Sequence, residues 1–308
     1  MPAKSLLLTG GSGFIGRHFC RAAIRSGISV TLLTRNVAAT ASVVPETVKL
    51  CASLEDIDVD THFDTVVNLA GEPLGEGRWS AARKRKFFTS RVDFTEALVD
   101  FFSRRNAPPK QVISGSAIGY YGPGREPVNE SSTAIEGFSH TLCHHWEVAA
   151  RGFERLGSRV CYLRTGIVLG ELGALARMLP AFRLGLGGPM GGGEQYMSWI
   201  HRDDMVALIK HCIDHPTLSG PVNATAPAPV SNRQFSRELG RVLRRPAALP
   251  MPAVMARLLF GEMADELLLQ GQCVLPKALL ANDFRFQYPE LGIALEALLD
   301  KKQLINSV

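Results

Sequence analysis

Several features that a chain of 308 residues often carries are missing here. The six cysteines, Cys20, Cys51, Cys143, Cys161, Cys212 and Cys273, are scattered with no C-x-x-C spacing. This favours free thiols in a reducing compartment over disulfides. No stretch approaches the roughly 18 consecutive apolar residues of a membrane span, and the apolar run in the opening MPAKSLLLTGG is far too short for a signal-peptide core. The expected location is the cytoplasm. There is no internal repeat and no low-complexity linker. The excess of positive charge is only +5 and is spread along the sequence, so neither nucleic acid nor a membrane is an expected partner. The one basic cluster, Arg83-Lys84-Arg85-Lys86, lies in an amphipathic helical stretch and reads as a solvated face.

What remains is the composition of a soluble globular protein, with 46% hydrophobic and 20% charged residues. Short apolar runs alternate with helical periods through the first half. Residues 4–9, 29–34, 64–70, 110–116 and 159–170 read as strands. Phe14 to Arg25, Ser80 to Arg104 and Ser139 to Glu154 read as helices. This alternation implies an α/β fold, a Rossmann-type doubly wound parallel sheet covered on both faces. From about Gly173 glycine and proline become frequent, most of all in RLGLGGPMGGGEQYMSW (183–199). The expected division is a Rossmann core over 1–172 and a smaller C-terminal lobe over 173–308. Some segments of that lobe return to the core, and its position suggests closure over a ligand cleft.

TGGSGFIG places Gly10, Gly13 and Gly16 between a predicted strand and a predicted helix. Small residues there permit a tight turn, close approach of backbone to a pyrophosphate, and packing of helix on strand. About 20 residues on, an NAD-preferring fold carries an acid that holds the ribose hydroxyls. This chain instead has LLTRN, with Thr34 and Arg35. A guanidinium forks onto a phosphate that a carboxylate would repel, so the expected cofactor is NADP(H). NLAGEP (68–73) ends a strand in small residues, Ala70 and Gly71 among them, suited to close backbone approach at the carboxyl edge of the sheet.

With SGSAIGYYG (114–122) following in the same order, the chain resembles the extended, epimerase-like branch of the short-chain dehydrogenase/reductases. CHHWE (143–147), LRTGIVLG (163–170), the run from MLPAFRLG to MSWIHRDDM (178–205), SGPVNATAP (219–227) and GQCVLPK (271–277) narrow the resemblance. They point to the YfcH-like group of nucleoside-diphosphate-sugar epimerases, which carries a C-terminal domain of unknown function. The resemblance covers nearly the whole chain. It implies a dinucleotide held by Gly10, Gly13, Phe14, Ile15 and Gly16, with Thr34 and Arg35 at the adenosine phosphate. It also implies that Leu69 and Ala70 lie beside the cofactor, that Lys86 and Arg91 face it from the long helix, and that Val168 lies near the nicotinamide end. Part of the basic cluster then meets an anion, while Arg83 to Arg85 stay solvated.

One family element is absent. Members use a Tyr-x-x-x-Lys pair with an upstream Ser or Thr, and the roles are general acid/base ones. SGSA supplies the serine as Ser116, but no Tyr-x-x-x-Lys occurs anywhere. Aligning Glu147 with the acid that usually follows the lysine puts Cys143 at the lysine and Ser139 at the tyrosine. Tyr120 and Tyr121, in a loop one residue longer than usual, are the tyrosines near the site and join Ser116 as catalytic candidates. Without a neighbouring lysine, their acidity should stay near the phenol reference of about 10. His140 and Glu147 are possible substitutes as proton carriers, although a packed helix face is the plainer reading of each. His140 and His144 stand at i, i+4, yet no further ligand set accompanies them, so no metal is expected. Asp203 and Asp204 in WIHRDD are expected to cap the following helix, and Arg183 with the glycine-rich stretch is a candidate contact for a diphosphate.

Two functions follow as expectations. The first is an NADP(H)-dependent epimerase or oxidoreductase acting on a sugar nucleotide or another small carbonyl or hydroxyl compound. The second is a catalytically weak NADP(H)-binding protein that senses redox state or scaffolds a partner. Substrate, direction of hydride transfer and oligomeric state are not legible in the sequence.

Overall fold

The computed structural model describes residues 5–105 and 107–300. Lys4, the first residue of the first expected strand, and the opening residues before it lie outside them. Seven strands form one all-parallel sheet: β1 (Ser5–Thr9), β2 (Ser29–Leu33), β3 (Lys49–Cys51), β4 (Thr65–Asn68), β5 (Gln111–Ala117), β6 (Arg159–Thr165) and β7 (Gly220–Ala224). Their order across the sheet is β7-β6-β5-β4-β1-β2-β3. The order reverses between β1 and β4, and the carboxyl ends of these two strands define the crevice where open α/β sheets take ligands.

The apolar strands bury both faces because successive side chains alternate. Leu6, Leu8, Val67, Ile113 and Leu163 meet helix α1 (Phe14–Arg25), through Phe19, Cys20 and Ala23, and a second helix over Arg202–Asp214, through Met205, Leu208, Ile209 and Cys212. Leu7, Val66, Val112 and Val160 meet the opposite layer, where Leu98, Phe101 and Phe102 come from the helix Phe94–Arg104 and Ala150 and Phe153 from the chain beyond it. The helix Arg202–Asp214 and strand β7 lie beyond residue 173, so the second half of the chain completes the sheet and one of its covering layers.

Two expected elements are divided. The helical stretch from Ser80 is α2 (Ala81–Phe88), a π-helical turn over Thr89–Asp93, and α3 (Phe94–Arg104). The expected strand 159–170 stops at Gly166, where an added Cβ would stand 2.4 Å from the Ser198 carbonyl oxygen, and resumes as Ile167–Leu169 paired with Trp199–His201. A separate core gathers Leu169, Leu175, Phe182, Trp199, Phe235 and Leu295. Among the described residues no helix is long and apolar enough to cross a membrane.

Candidate functional site

The glycine turn lies at the carboxyl end of β1. Gly10 has φ +68°, and a Cβ on it would come within 2.4 Å of the Leu69 carbonyl oxygen at the end of β4. A Cβ on Gly16 would stand 2.2 Å from the Gly10 carbonyl oxygen, so only glycine lets α1 begin this close to the turn. Gly13 caps α1 in an extended conformation with no side-chain hydrogen bond, and no acid stands in the first turn. The leading N–H groups, from Phe14 and Ile15 onward, therefore have no capping side chain, which is the arrangement that receives a phosphate. Phe14 packs against Gly170, where an added Cβ would be 2.5 Å from its ring. Val168, half-buried on the strand Ile167–Leu169, packs on the sheet core nearby.

Beyond β2, Arg35 is exposed and makes no hydrogen bond or ion pair among the described residues. Thr34 differs: it is buried, and its hydroxyl lies 2.7 Å from that of Thr40. Leu69 and Ala70 are half-buried at the end of β4, followed by exposed Gly71. Arg91 stands on the π-helical turn and is 9% exposed. It packs beneath Gly71, whose added Cβ would meet the guanidinium carbon at 2.9 Å; it donates to the Glu72 carbonyl at 2.9 Å and covers the Trp146 ring at 5.2 Å. Burial lowers its pKa to about 10, so it remains a cation, and it has no carboxylate ion-pair partner among the described residues. Lys86 is exposed. Arg85 is exposed, as expected, but the expectation of a solvated Arg83 and Lys84 needs correction. Lys84 pairs with Glu262 at 2.5 Å and lies over Phe138 at 4.5 Å, and half-buried Arg83 donates to the Pro73 carbonyl at 3.1 Å. These two residues tie α2 to neighbouring segments.

Helix α4 (Phe138–Ala150), which carries Ser139 and Cys143, brings a buried polar network to β5 and β6. Ser116 and Arg164 are paired in register across these strands, so their side chains leave the same face. Ser116 Oγ donates to Glu147 Oε1 at 2.8 Å. Arg164 grips the same carboxylate through Nε and Nη2 at 2.8 and 2.9 Å, and it donates through Nη1 to the Tyr121 hydroxyl at 3.1 Å. Tyr121 in turn donates to Asn223 Oδ1 at 2.6 Å. Glu147 and Arg164 are 2% and 3% exposed. Burial works against the Arg164 charge but is outweighed by its bonds to Glu147, so its pKa lies above the ordinary value. Burial pushes the Tyr121 hydroxyl upward, and the Arg164 cation only partly opposes this. Tyr121 and Ser116 thus stand close together with their hydroxyls committed within the protein.

The replacement residues are committed as well. Ser139 Oγ donates to Glu266 Oε2 at 2.5 Å, and burial raises the Cys143 thiol to about 11. Tyr120 presents one ring face to Arg164, whose guanidinium carbon is 3.4 Å from the centroid, and its hydroxyl has no partner among the described residues. His140 Nδ1 lies 2.6 Å from the Tyr120 carbonyl oxygen, and its ring is 5.7 Å from that of His144. Among the described residues no group of three His, Cys, Asp or Glu side chains is placed to hold a metal.

Around this centre, sequence reading missed three anchors. Glu171 accepts from Arg17, His18 and Arg202 at 2.7, 2.6 and 2.6 Å. Partial burial would raise this carboxyl, but the hydrogen bonds from His18, its own backbone, Arg17 and Arg202 outweigh it and hold the pKa far below the usual range. The cap expected from Asp203 and Asp204 belongs to His201, whose Nδ1 accepts from the Asp203 N–H at 3.0 Å. Asp204 instead points inward and accepts from the backbone N–H groups of Gln287 and Tyr288 at 2.8 and 2.9 Å. Asn223 on β7 holds the Leu275 carbonyl as well as Tyr121. Glu171, Asp204 and Asn223 each join residues far apart in sequence, and no local spacing signals these contacts. A cleft of about 350 Å³ opens between the segment after Tyr121 and the glycine-rich stretch, lined by Gly124, Arg125, Gly192, Glu194 and Gln270. Arg183 is exposed and does not line it.

Residues 6–224 match the NAD dependent epimerase/dehydratase family, and residues 251–298 match a domain of unknown function, DUF1731. The chain is 34% identical to the epimerase family protein YfhF of Bacillus subtilis, over 98% of this chain and 100% of the relative. It is 40% identical to an epimerase family protein of Mycobacterium bovis, over 96% of this chain and 97% of that one. Among solved structures it is similar to human epimerase family protein SDR39U1 with NADPH, with TM-score 0.85 and 30% identity over 96% of this chain and 99% of the human one. It is also similar to the nucleoside-diphosphate sugar epimerase from Corynebacterium glutamicum, with TM-score 0.74 and 28% identity over 99% of this chain and 61% of that one. A chain with this doubly wound sheet, this glycine turn and this full-length likeness belongs to the NAD dependent epimerase/dehydratase family.

Proposed function

We propose that the protein binds NADP(H) and acts as an epimerase or oxidoreductase on a sugar nucleotide or another small hydroxyl or carbonyl compound. The observation that carries the cofactor preference is Arg35, an exposed guanidinium with no partner among the described residues, just past β2, where an NAD-preferring fold has an acid. The human relative solved with NADPH supports the same reading. The uncapped first turn of α1 would hold the pyrophosphate, Arg35 the 2′-phosphate, and Leu69, Ala70 and Val168 the ribose and nicotinamide side. Arg91 adds a buried positive charge behind the Gly71 turn, and such a charge is costly unless an anion compensates it. When bound, the cofactor supplies hydride chemistry; the chain's own residues bind, orient and carry the proton. The substrate class draws on the similar Corynebacterium glutamicum protein, a nucleoside-diphosphate sugar epimerase.

Arg35→Asp should weaken NADPH by at least tenfold while changing NADH far less, because loss of a charged hydrogen bond costs about 1.5–3 kcal/mol. Titration of both dinucleotides by calorimetry checks this, and equal losses would show that Arg35 does not read the 2′-phosphate.

A second reading, an NADP(H)-binding protein of weak activity that senses redox state or scaffolds a partner, is favoured by one observation. Ser139 and Cys143, which alignment on Glu147 sets at the tyrosine and lysine positions, are one bound to Glu266 and the other buried. Protein loaded with NADPH should oxidise it on some member of a carbonyl and sugar-nucleotide panel if the first reading holds. Tight NADPH binding with no change in absorbance on any compound would favour the second.

A further inference from the structure

We propose that His140 carries the proton in this site, with Nε2 accepting it from the substrate hydroxyl. The inference rests on the epimerase or oxidoreductase reading above and adds the identity of its acid/base group.

Most polar groups clustered where helix α4 meets β5 and the 118–121 turn already have partners. Ser139 donates to Glu266, Cys143 is 4% exposed, and Glu147 is gripped on both oxygens by Arg164 while accepting from Ser116. Tyr121 donates to Asn223 and accepts from Arg164. Of the groups at this position, Tyr120 and His140 each keep a hydrogen-bonding end with no partner among the described residues, while His144, one turn further along the helix, is exposed. A phenol needs a neighbouring cation to exchange its proton near neutral pH. The adjacent cation, Arg164, contacts the face of Tyr120 but directs its N–H groups at Glu147 and Tyr121, and its charge is balanced by Glu147.

His140 has a different arrangement. Nδ1 is 2.6 Å from the Tyr120 carbonyl oxygen. A carbonyl oxygen only accepts, so Nδ1 must carry the hydrogen. In the neutral ring the lone pair is then confined to Nε2, the end with no protein partner among the described residues. A base whose tautomer is set by a hydrogen bond from its other nitrogen is the usual arrangement of histidine in proton transfer. The Tyr120 carbonyl thereby orients the imidazole. Oxidation of the substrate alcohol to a carbonyl releases a hydride and a proton. The O–H bond breaks with the proton going to Nε2 and its electron pair becoming the second C–O bond, and an oxidised nicotinamide dinucleotide, when bound, would supply the hydride acceptor. The return step reverses both transfers and yields either epimer or the original alcohol.

His140→Asn tests this, because the asparagine amide can still donate to the Tyr120 carbonyl but offers no base. With NADP⁺ and UDP-glucose, UDP-glucuronic acid or UDP-N-acetylglucosamine as probes, turnover should fall at least a hundredfold. Tm and NADPH affinity should stay at the wild-type values. Turnover within threefold of wild type, or a larger loss in Tyr120→Phe than in His140→Asn, overturns the proposal. A second readout needs no turnover: in the neutral His140 ring, ¹⁵N NMR should place the hydrogen on Nδ1, and a neutral ring with its hydrogen on Nε2 overturns the proposal directly. Absence of wild-type turnover on every probe sinks the sugar-nucleotide reading and this inference together, whereas an active His140→Asn sinks this inference alone.

Discussion

At the residue scale, the buried pair Glu147–Arg164 explains how the site keeps its shape without a catalytic tyrosine and lysine. Two opposite charges, each almost fully excluded from water, are tolerable because both carboxylate oxygens and three guanidinium nitrogens have partners. Glu147→Gln removes the compensating charge and should cost about 3–5 kcal/mol, read from urea unfolding. The double variant Glu147→Leu with Arg164→Met should recover most of that loss, since buried ion pairs are often replaceable by apolar groups of similar volume. A loss below about 1 kcal/mol for Glu147→Gln would show that Arg164 finds another partner or water. The sequence placed Ser116, Tyr121 and Glu147 in one neighbourhood, but read the serine and tyrosine as free to act. Which hydroxyls are occupied depends on Arg164 and Asn223, contributed by β6 and β7 from much later in the chain.

At the element scale, periodicity located β1, α1, β2, β4, β5, β6 and α4 because each is an apolar run of ordinary length bounded by turn residues. It did not reveal the π-helical turn at Thr89–Asp93, which adds a residue to one turn and so re-aims Arg91 without altering the local composition. Nor did it show the break at Gly166, which exists because the Ser198 carbonyl crosses there. The acidic pair Asp203-Asp204 met the usual description of a helix start. The cap fell to His201 instead, since its imidazole reaches the Asp203 N–H while Asp204 is drawn into the Gln287–Tyr288 backbone.

At the scale of the whole molecule, the glycine-rich change near residue 173 does not separate two independent sheets. The layer on one face of the sheet is built from α1 and the helix Arg202–Asp214, and strand β7 adds the edge next to β6. A fragment of residues 1–172 should therefore expose Ile113, Cys161 and Leu163 where Met205, Leu208 and Ile209 now cover them. It should be aggregated or molten by size exclusion and circular dichroism, and a monomeric fragment that unfolds cooperatively would contradict this. By itself the sequence determined the doubly wound core and the glycine turn, together with the basic residue where an acid would select NAD, because these are local: periodicity, steric need for glycine and charge. Tertiary structure decided which of the clustered polar groups remain available, because commitment of a hydroxyl or carboxylate depends on partners far along the chain, as in the 102-residue separation of Tyr121 and Asn223 and the 127-residue separation of Ser139 and Glu266.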